Sequence, residues 1–391
     1  RAIYNKKQQK WREFLEESSS SNTWGNTYKM IKATTNPKTY TLPILDNAQP
    51  HQHGTIIENI LDAIFPDDNQ LLQHTPTQTS NILNQEQLTI TPEYIETLIK
   101  STNNKKSPGP DYITNQMLKQ LKDTISPTLA ALFTKCFILG HFPSCWKNTS
   151  LIIFPKPNKT EYHTPKNYRP ISLISNISKI LEKIIQSRLQ NYIRDNNLQN
   201  ENQHGFTQQK STITALYNIT NDIINNKTNN KLTSMLSVDY SGAFDNANWQ
   251  IITKNMDTMN IPSQYTQIIQ SYLTNRTVSY KYNNHTRTKK LTKGCPQGSP
   301  LSPTLWNILI NSLLNSFNIP SAHIHAYADD ITVICTGNTP NQLHDTLQKT
   351  LTFINVWSNN NFLTINTQKT QIIHFHKKTL NTPVTLNNNH I

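Results

Sequence analysis

Apolar positions along the chain follow two spacings that replace one another irregularly. Ile95, Leu98 and Ile99 recur at helical spacing behind Thr91-Pro92-Glu93, where Thr91 suits a cap and Pro92 a first turn. Helices are predicted near 113–122 and 126–139. Residues 172–195 carry Ile177, Ile180, Leu181, Ile184, Ile185 and Leu189 on one face, with Lys179, Lys183 and Arg188 among the polar positions. Further helices are predicted at 211–226, 246–258, 263–273, 302–316 and 341–358. Strand patterns occur at 151–154, stopped by Pro155-Lys156-Pro157, and at 235–238. Hairpins are predicted at 278–292, around Asn283-Asn284, and at 323–336, with later strands at 371–375 and 384–386.

Before residue 105 the pattern is weaker. Trp11, Phe14 and Leu15 suit a short amphipathic helix, broken by the serines at 18–21. The Pro- and Thr-rich run at 34–54 is expected to be extended, and 67–87 is polar. Ser107-Pro108-Gly109-Pro110-Asp111 reads as a rigid turn with Asp111 placed to cap the helix after it. Helices mixed with antiparallel hairpins make this an α+β chain, not a repeated βαβ unit.

The chain has 391 residues, enough for two or three subdomains and a sizeable core. Lys plus Arg number 37 against 24 Asp plus Glu, a net charge of +13, which favours a polyanionic partner, most simply nucleic acid. The four cysteines, at 136, 145, 295 and 335, have neither zinc-site nor disulfide-scaffold spacing, so a reducing compartment is expected. No apolar run is long enough to span a membrane as a helix. The chain starts at Arg1 without an initiator Met and reads as a piece of a longer one.

Candidate chemistry lies where strand patterns end in acids. Ser237-Val238-Asp239 is one such end. The other is Asp329-Asp330, between the apolar arms of the second hairpin. Asp is also common at hairpin turns for purely local reasons. Three converging carboxylates repel one another, however, and a cation resolves that cost. Mg²⁺ prefers carboxylate oxygens plus substrate phosphates, and two such ions about 4 Å apart suit in-line displacement at phosphorus.

Taken together, these motifs resemble a reverse transcriptase of the non-long-terminal-repeat, LINE-type, jockey-like retrotransposon kind. Tyr327-Ala328-Asp329-Asp330 is similar to that family's third palm motif, and Val238 to Asp245 to its first. Gly294-Cys295-Pro296-Gln297-Gly298-Ser299-Pro300 resembles the second, and Leu363 to Asn366 with Lys369 and Thr370 the fourth. Ile152 to Lys156, Asn167 to Leu173 with Lys179 and Glu182, Gln203 to Phe206 with Ser211-Thr212, and Ser107 to Asp111 resemble its fingers and upstream segments. The resemblance runs from about 107 to 376.

It implies a right-hand polymerase fold, with an N-terminal extension at 1–106, fingers at about 107–233 and palm at about 234–391, interrupted by helices. The thumb is expected to be largely missing. The implied activity is RNA-directed DNA polymerisation from deoxynucleoside triphosphates, with Mg²⁺ as cofactor and Mn²⁺ as a substitute. The implied partners are an RNA template, the element's own RNA, and a DNA primer or nicked target DNA, with no membrane. Work inside the nucleus at the target, after assembly with RNA in the cytoplasm, is implied by the same resemblance.

By the same resemblance, Asp239, Asp329 and Asp330 are metal ligands and catalytic groups. Asp330 is otherwise read as tuning the site or orienting the primer end. Phe244 is either a steric gate against a ribose 2′-hydroxyl or a core side chain. Asp245 is left out of the metal set, since it suits a cap for the helix before Trp249. Lys156 and Arg169 suit the β- and γ-phosphates, or are solvated surface charges. Gln297 is a nucleotide-binding candidate, suited to the template base or the primer-side minor groove. Gly205, Phe206, Gly294 and Gly298 are expected along the nucleic acid, the glycines for close backbone approach. Lys369 is a general acid for pyrophosphate or a surface lysine. His323 and His325 are expected to pack or face solvent. Other readings are an RNA-dependent RNA polymerase, against which Ala328 and Phe244 speak, a group II intron maturase, or an inactive, host-adopted nucleic-acid-binding fragment.

Overall fold

The computed structural model describes residue 9 and residues 42–46, 48–68, 83–156, 164–377, 382–387 and 389–391. The expected helix around Trp11, Phe14 and Leu15 lies outside them. Among the described residues, the helices of eight residues or more are α1 (His53–Ile64), α2 (Pro92–Ser101), α3 (Lys122–Ile138), α4 (Asn176–Asp195), α5 (Thr212–Thr228), α6 (Trp249–Thr258), α7 (Ser263–Leu273), α8 (Ser302–Ser316) and α9 (Pro340–Asn360). Strands are β1 (Asn148–Pro155), β2 (Tyr168–Leu173), β3 (Leu232–Val238), β4 (Thr277–Tyr282), β5 (His285–Lys290), β6 (Ala322–Tyr327), β7 (Asp330–Gly337), β8 (Gln371–His374), β9 (Thr385–Leu386) and β10 (Asn389–His390).

Two four-stranded sheets organise the chain. One has the order β2-β1-β4-β5, with β1 and β4 parallel and the other pairs antiparallel. The other, β6-β7-β3-β8, is antiparallel throughout. The larger core lies against this second sheet, where Leu236, Val238, Ile324, Ile331 and Val333 are buried. Leu305, Trp306, Leu309, Ile310 and Leu313 of α8 join it, and α8 is buried nearly all round, as a helix apolar on every side must be. Helix α9, capped by the Thr339 hydroxyl and entered through Pro340, adds Leu343, Leu347, Leu351 and Ile354.

A smaller core joins the first sheet to the N-terminal segment. Ile57, Ile60 and Leu61 of α1, with Leu42 and Leu45, pack on Leu151, Ile153, Tyr168 and Val278. This corrects the extended reading of 34–54 over its described part. Pro43–Asp46 is a helical turn, Pro50–Gln52 a 3₁₀ turn, and α1 begins at His53. The two prolines start those turns, where a missing N–H removes no helical bond.

Other boundaries shift for local reasons. Helix α4 begins at Asn176, because Tyr168–Leu173 pairs with β1 and Ser175 supplies the cap. Helix α3 starts at Lys122, ahead of Pro127, rather than at 126. Asp111 does not cap the helix Asn115–Gln120, since Thr114 does. The Asp111 carboxylate instead accepts from the Ser175 hydroxyl at 2.5 Å.

Candidate active site

Strand β3 ends at Val238, which pairs with Ile331 of β7. One step further along that antiparallel register, Asp239 stands opposite Asp330. Tyr327 and Asp330 close the β6–β7 hairpin, so Ala328 and Asp329 form a two-residue turn, with Ala328 in the left-handed region at φ 58°. The three carboxylates are electrostatic neighbours. Burial, then Asp329 and Asp239, push the Asp330 carboxyl above the usual range, and Lys369 opposes them.

On its other side, Asp239 meets the segment that carries Lys369. Asn366 N–H donates to the Asp239 carbonyl at 2.8 Å, and Ser241 N–H to Thr364 at 2.9 Å. The Lys369 ammonium lies 3.3 Å from Asp239 Oδ2, and that buried oxygen accepts no hydrogen bond from the described residues. Among the described residues no group of three or more His, Cys, Asp or Glu side chains is gathered closely enough to hold a metal ion. The donors nevertheless fit one, because a carboxylate oxygen without a hydrogen bond and mutually repelling acids both call for positive charge. The ammonium supplies it here.

The acidic turn is held from two sides. His204 N–H donates to Ala326 at 2.8 Å, and Ala326 N–H to Asn202 at 2.9 Å. Gly205 lies so close that a Cβ there would be 2.1 Å from the Ala328 nitrogen. Its carbonyl accepts from the Asn307 amide at 3.0 Å. From below, the buried Trp306 indole donates to the Ala328 carbonyl at 2.9 Å. Trp306 is a residue that its apolar helical context gave no reason to single out.

Phe244 lies on the one-turn helix Ala243–Asn246, after Gly242 at φ 59°. One face of its ring stacks on Trp306 at 5.4 Å, and Phe206 meets it edge-on at 6.4 Å. The ring is half-buried and Phe206 is exposed, so both readings of Phe244 find a surface here.

The next residue, Asp245, does not cap a helix, since Asn248 caps α6. Both its carboxylate oxygens accept from Gln297 Nε2, at 2.9 Å each. Burial pushes its carboxyl up to about 6, against the pull of Gln297 and Lys156. Gly294 passes against the same residue, since a Cβ at its φ of 87° would be 2.6 Å from the Asp245 carbonyl. Gly298 lies likewise against the Ser172 carbonyl. At Gly205, Gly294 and Gly298 alike, a side chain would meet backbone of the chain itself.

The 294–300 loop is braced from behind by Glu182. This fully buried carboxylate accepts from Ser178 Oγ at 2.7 Å and from Ser299 Oγ, and Tyr272 donates to Ser299 at 2.9 Å. On the first sheet Arg169 pairs opposite Phe154, so strand alternation puts it on the same face as Lys156. His325 is buried and His323 exposed; both pair with Asp222 of α5, at 2.8 and 3.4 Å, and tie that helix to β6.

Residues 154–385 match the family model described as reverse transcriptase (RNA-dependent DNA polymerase). The chain is 26% identical over 366 residues to the retrovirus-related Pol polyprotein from type-1 retrotransposable element R1 of Bradysia coprophila, covering 93% of this chain and 36% of that protein. It is 32% identical over 301 residues to the probable RNA-directed DNA polymerase from transposon BS of Drosophila melanogaster, covering 75% and 33%. Apo telomerase from Candida tropicalis, truncated from the C-terminal domain, superposes with a TM-score of 0.46 at 14% identity, over 68% of this chain and 57% of that one. The chain spans about a third of the length of these two sequence relatives.

Proposed function

The chain belongs to the reverse transcriptase (RNA-dependent DNA polymerase) family, of the non-long-terminal-repeat retrotransposon kind, and on that premise we propose that it extends a primer on an RNA template. The observation that carries the reading is the approach of Asp239, just past the end of β3, to Asp329 in the facing turn and Asp330 at the start of β7, inside the matched span. In this reading the sheet β6-β7-β3-β8 is the palm and the sheet β2-β1-β4-β5 belongs to the fingers. Residues 42–64 pack on the latter.

Asp239, Asp329 and Asp330 would hold divalent metal, Mg²⁺ first and Mn²⁺ as its substitute. Metal bound there would supply charge neutralisation at the triphosphate and a more acidic primer hydroxyl. In the reaction the primer 3′-hydroxyl gives up its proton to water, its oxygen bonds to the α-phosphorus, and the bond from that phosphorus to the bridging oxygen breaks. Pyrophosphate leaves with the electron pair. Lys369, whose exposed ammonium lies 3.3 Å from Asp239 Oδ2, would give a proton to that leaving group. Lys156 and Arg169, on one face of the first sheet, suit the β- and γ-phosphates. Phe244 walls the sugar, with Trp306 stacked on it. Gln297 borders the incoming nucleotide, and Phe206, Gly205, Gly294 and Gly298 border the template–primer path. The partners are an RNA template, the element's own RNA among them, and a DNA primer or nicked target DNA, met in the nucleus after assembly in the cytoplasm.

The test is primer extension by the full chain with Mg²⁺ on matched RNA and DNA templates, beside Asp239→Asn and Asp329→Asn. Extension on RNA, lost in both variants, is expected; extension that survives both would sink the reading. Template–primer affinity should fall steeply between about 50 and 200 mM salt as counterions are released.

A further inference from the structure

Asp245 and Gln297 form a pair that neither metal binding nor phosphate binding explains. The elements carrying them are locked together by backbone and indole bonds. Cys295 N–H donates to the Phe244 carbonyl at 2.7 Å, Gly294 N–H to Ala247 at 2.8 Å, and the Trp249 indole to Gly294 at 2.8 Å. With the two segments fixed, Gln297 Nε2 reaches both Asp245 oxygens at 2.9 Å. An ionised carboxylate can only accept, so it selects the amino end of the amide and turns the carbonyl end away. Gln297 Oε1 takes no hydrogen bond from the described residues and is not buried. Asp245 comes directly after Phe244 and feels the charge of Lys156, so the pair borders the space between the sugar wall and the phosphate-binding lysine.

We propose that Asp245 is a positioning residue for nucleotide selection: by holding the amino group of Gln297, it makes the amide present its carbonyl oxygen, a hydrogen-bond acceptor, to the incoming nucleotide. The role rests on the polymerase reading above. Amide ends are nearly equal in size, so packing alone selects neither, whereas the carboxylate does. An uncharged Asn at 245 can donate to Oε1 as readily as it accepts from Nε2. The preference then disappears, and a donor faces the nucleotide for part of the time.

Deoxynucleotide incorporation on an RNA template would be measured with the full chain and with Asp245→Asn, Gln297→Ala and the double variant. Asp245→Asn should raise KM for the nucleotide more than about fivefold while kcat changes by less than about threefold. With Gln297→Ala already present, the same change should alter KM by less than about twofold, because a residue acting through its partner loses its effect with that partner. An equal effect of Asp245→Asn in both backgrounds, or an unchanged KM, would overturn the role while leaving the polymerase reading in place. No incorporation by the unmodified chain would overturn both. A second measurement needs no turnover: the side-chain amide protons of Gln297, identified through Gln297→Ala, should exchange slowly in the unmodified chain and quickly in Asp245→Asn. Equally fast exchange in the two would overturn the role whether or not the chain polymerises.

Discussion

The Trp306 indole links the acidic turn to the aromatic wall, donating to the Ala328 carbonyl at 2.9 Å while its ring stacks on Phe244 at 5.4 Å. One rigid side chain therefore sets both the height of Asp329 and the position of the surface expected to meet the sugar. Trp306→Phe keeps a ring for the stack and leaves the Ala328 carbonyl without its donor, at a cost of about 1–3 kcal/mol. Urea denaturation should show that loss, and primer extension should fall further than stability alone explains. Unchanged extension with the full loss of stability would make Trp306 a core residue only.

Phe244→Val should raise ribonucleotide use relative to deoxynucleotide use by more than about tenfold, or about 1.4 kcal/mol of discrimination. The ring is half-buried, so the accompanying loss of stability should stay below the roughly 3–5 kcal/mol of a fully buried Phe. The ratio of kcat/KM for the two nucleotides decides. An unaltered ratio removes Phe244 from the site.

Gly205→Ala tests the other support of the turn. The added Cβ would sit 2.1 Å from the Ala328 nitrogen, so backbone has to move. Overpacking of this kind costs about 1–3 kcal/mol, and a displacement of about 1 Å at reacting groups costs on the order of 100-fold in rate. Extension at the wild-type rate by a folded variant would count against the turn as the seat of the chemistry.

Lys369→Met separates chemistry from folding. The ammonium is exposed, so its pairing with Asp239 contributes at most about 1 kcal/mol. Loss of a general acid lowers kcat by about 100- to 10,000-fold. A fall of that size at nearly constant melting temperature is expected; a full-rate variant leaves Lys369 as a surface lysine.

Asp245→Asn should also change how stability depends on pH. Burial pushes the carboxyl up to about 6 in the folded chain against 3.8 ordinarily, so the folded state holds the proton more tightly. The stability due to that proton is present below about pH 4 and is lost as pH rises through 6, on the order of 3 kcal/mol. Asn cannot ionise, so the variant should gain stability on the wild type between pH 4 and 7 in urea titrations. Parallel curves would show that the carboxyl is not held in this state.

Sequence alone determined the elements whose signals are local. The 302–316 helix, the two arms of the second hairpin, the apolar face of α2 and the acid closing β3 are set by spacings within a few residues of one another, while the hairpin's tip lies at Ala328-Asp329, one residue before the expected Asp329-Asp330. The carboxylates were legible for the same reason, since each stands at the end of its own strand pattern. Tertiary structure decided whatever depends on which distant partner a group meets. Helix α1 found its apolar partners on β1, β2 and β4, and β1 took a parallel neighbour in β4, a pairing no periodicity encodes. A buried indole must find an acceptor, but only the packing of α8 beneath the hairpin made that acceptor Ala328. Asp245 has the local pattern of a helix cap. Only the docking of the 294–300 loop onto the 243–247 turn made it the partner of Gln297, because a side chain bonds to what the fold brings within about 3 Å, not to its neighbours in the chain.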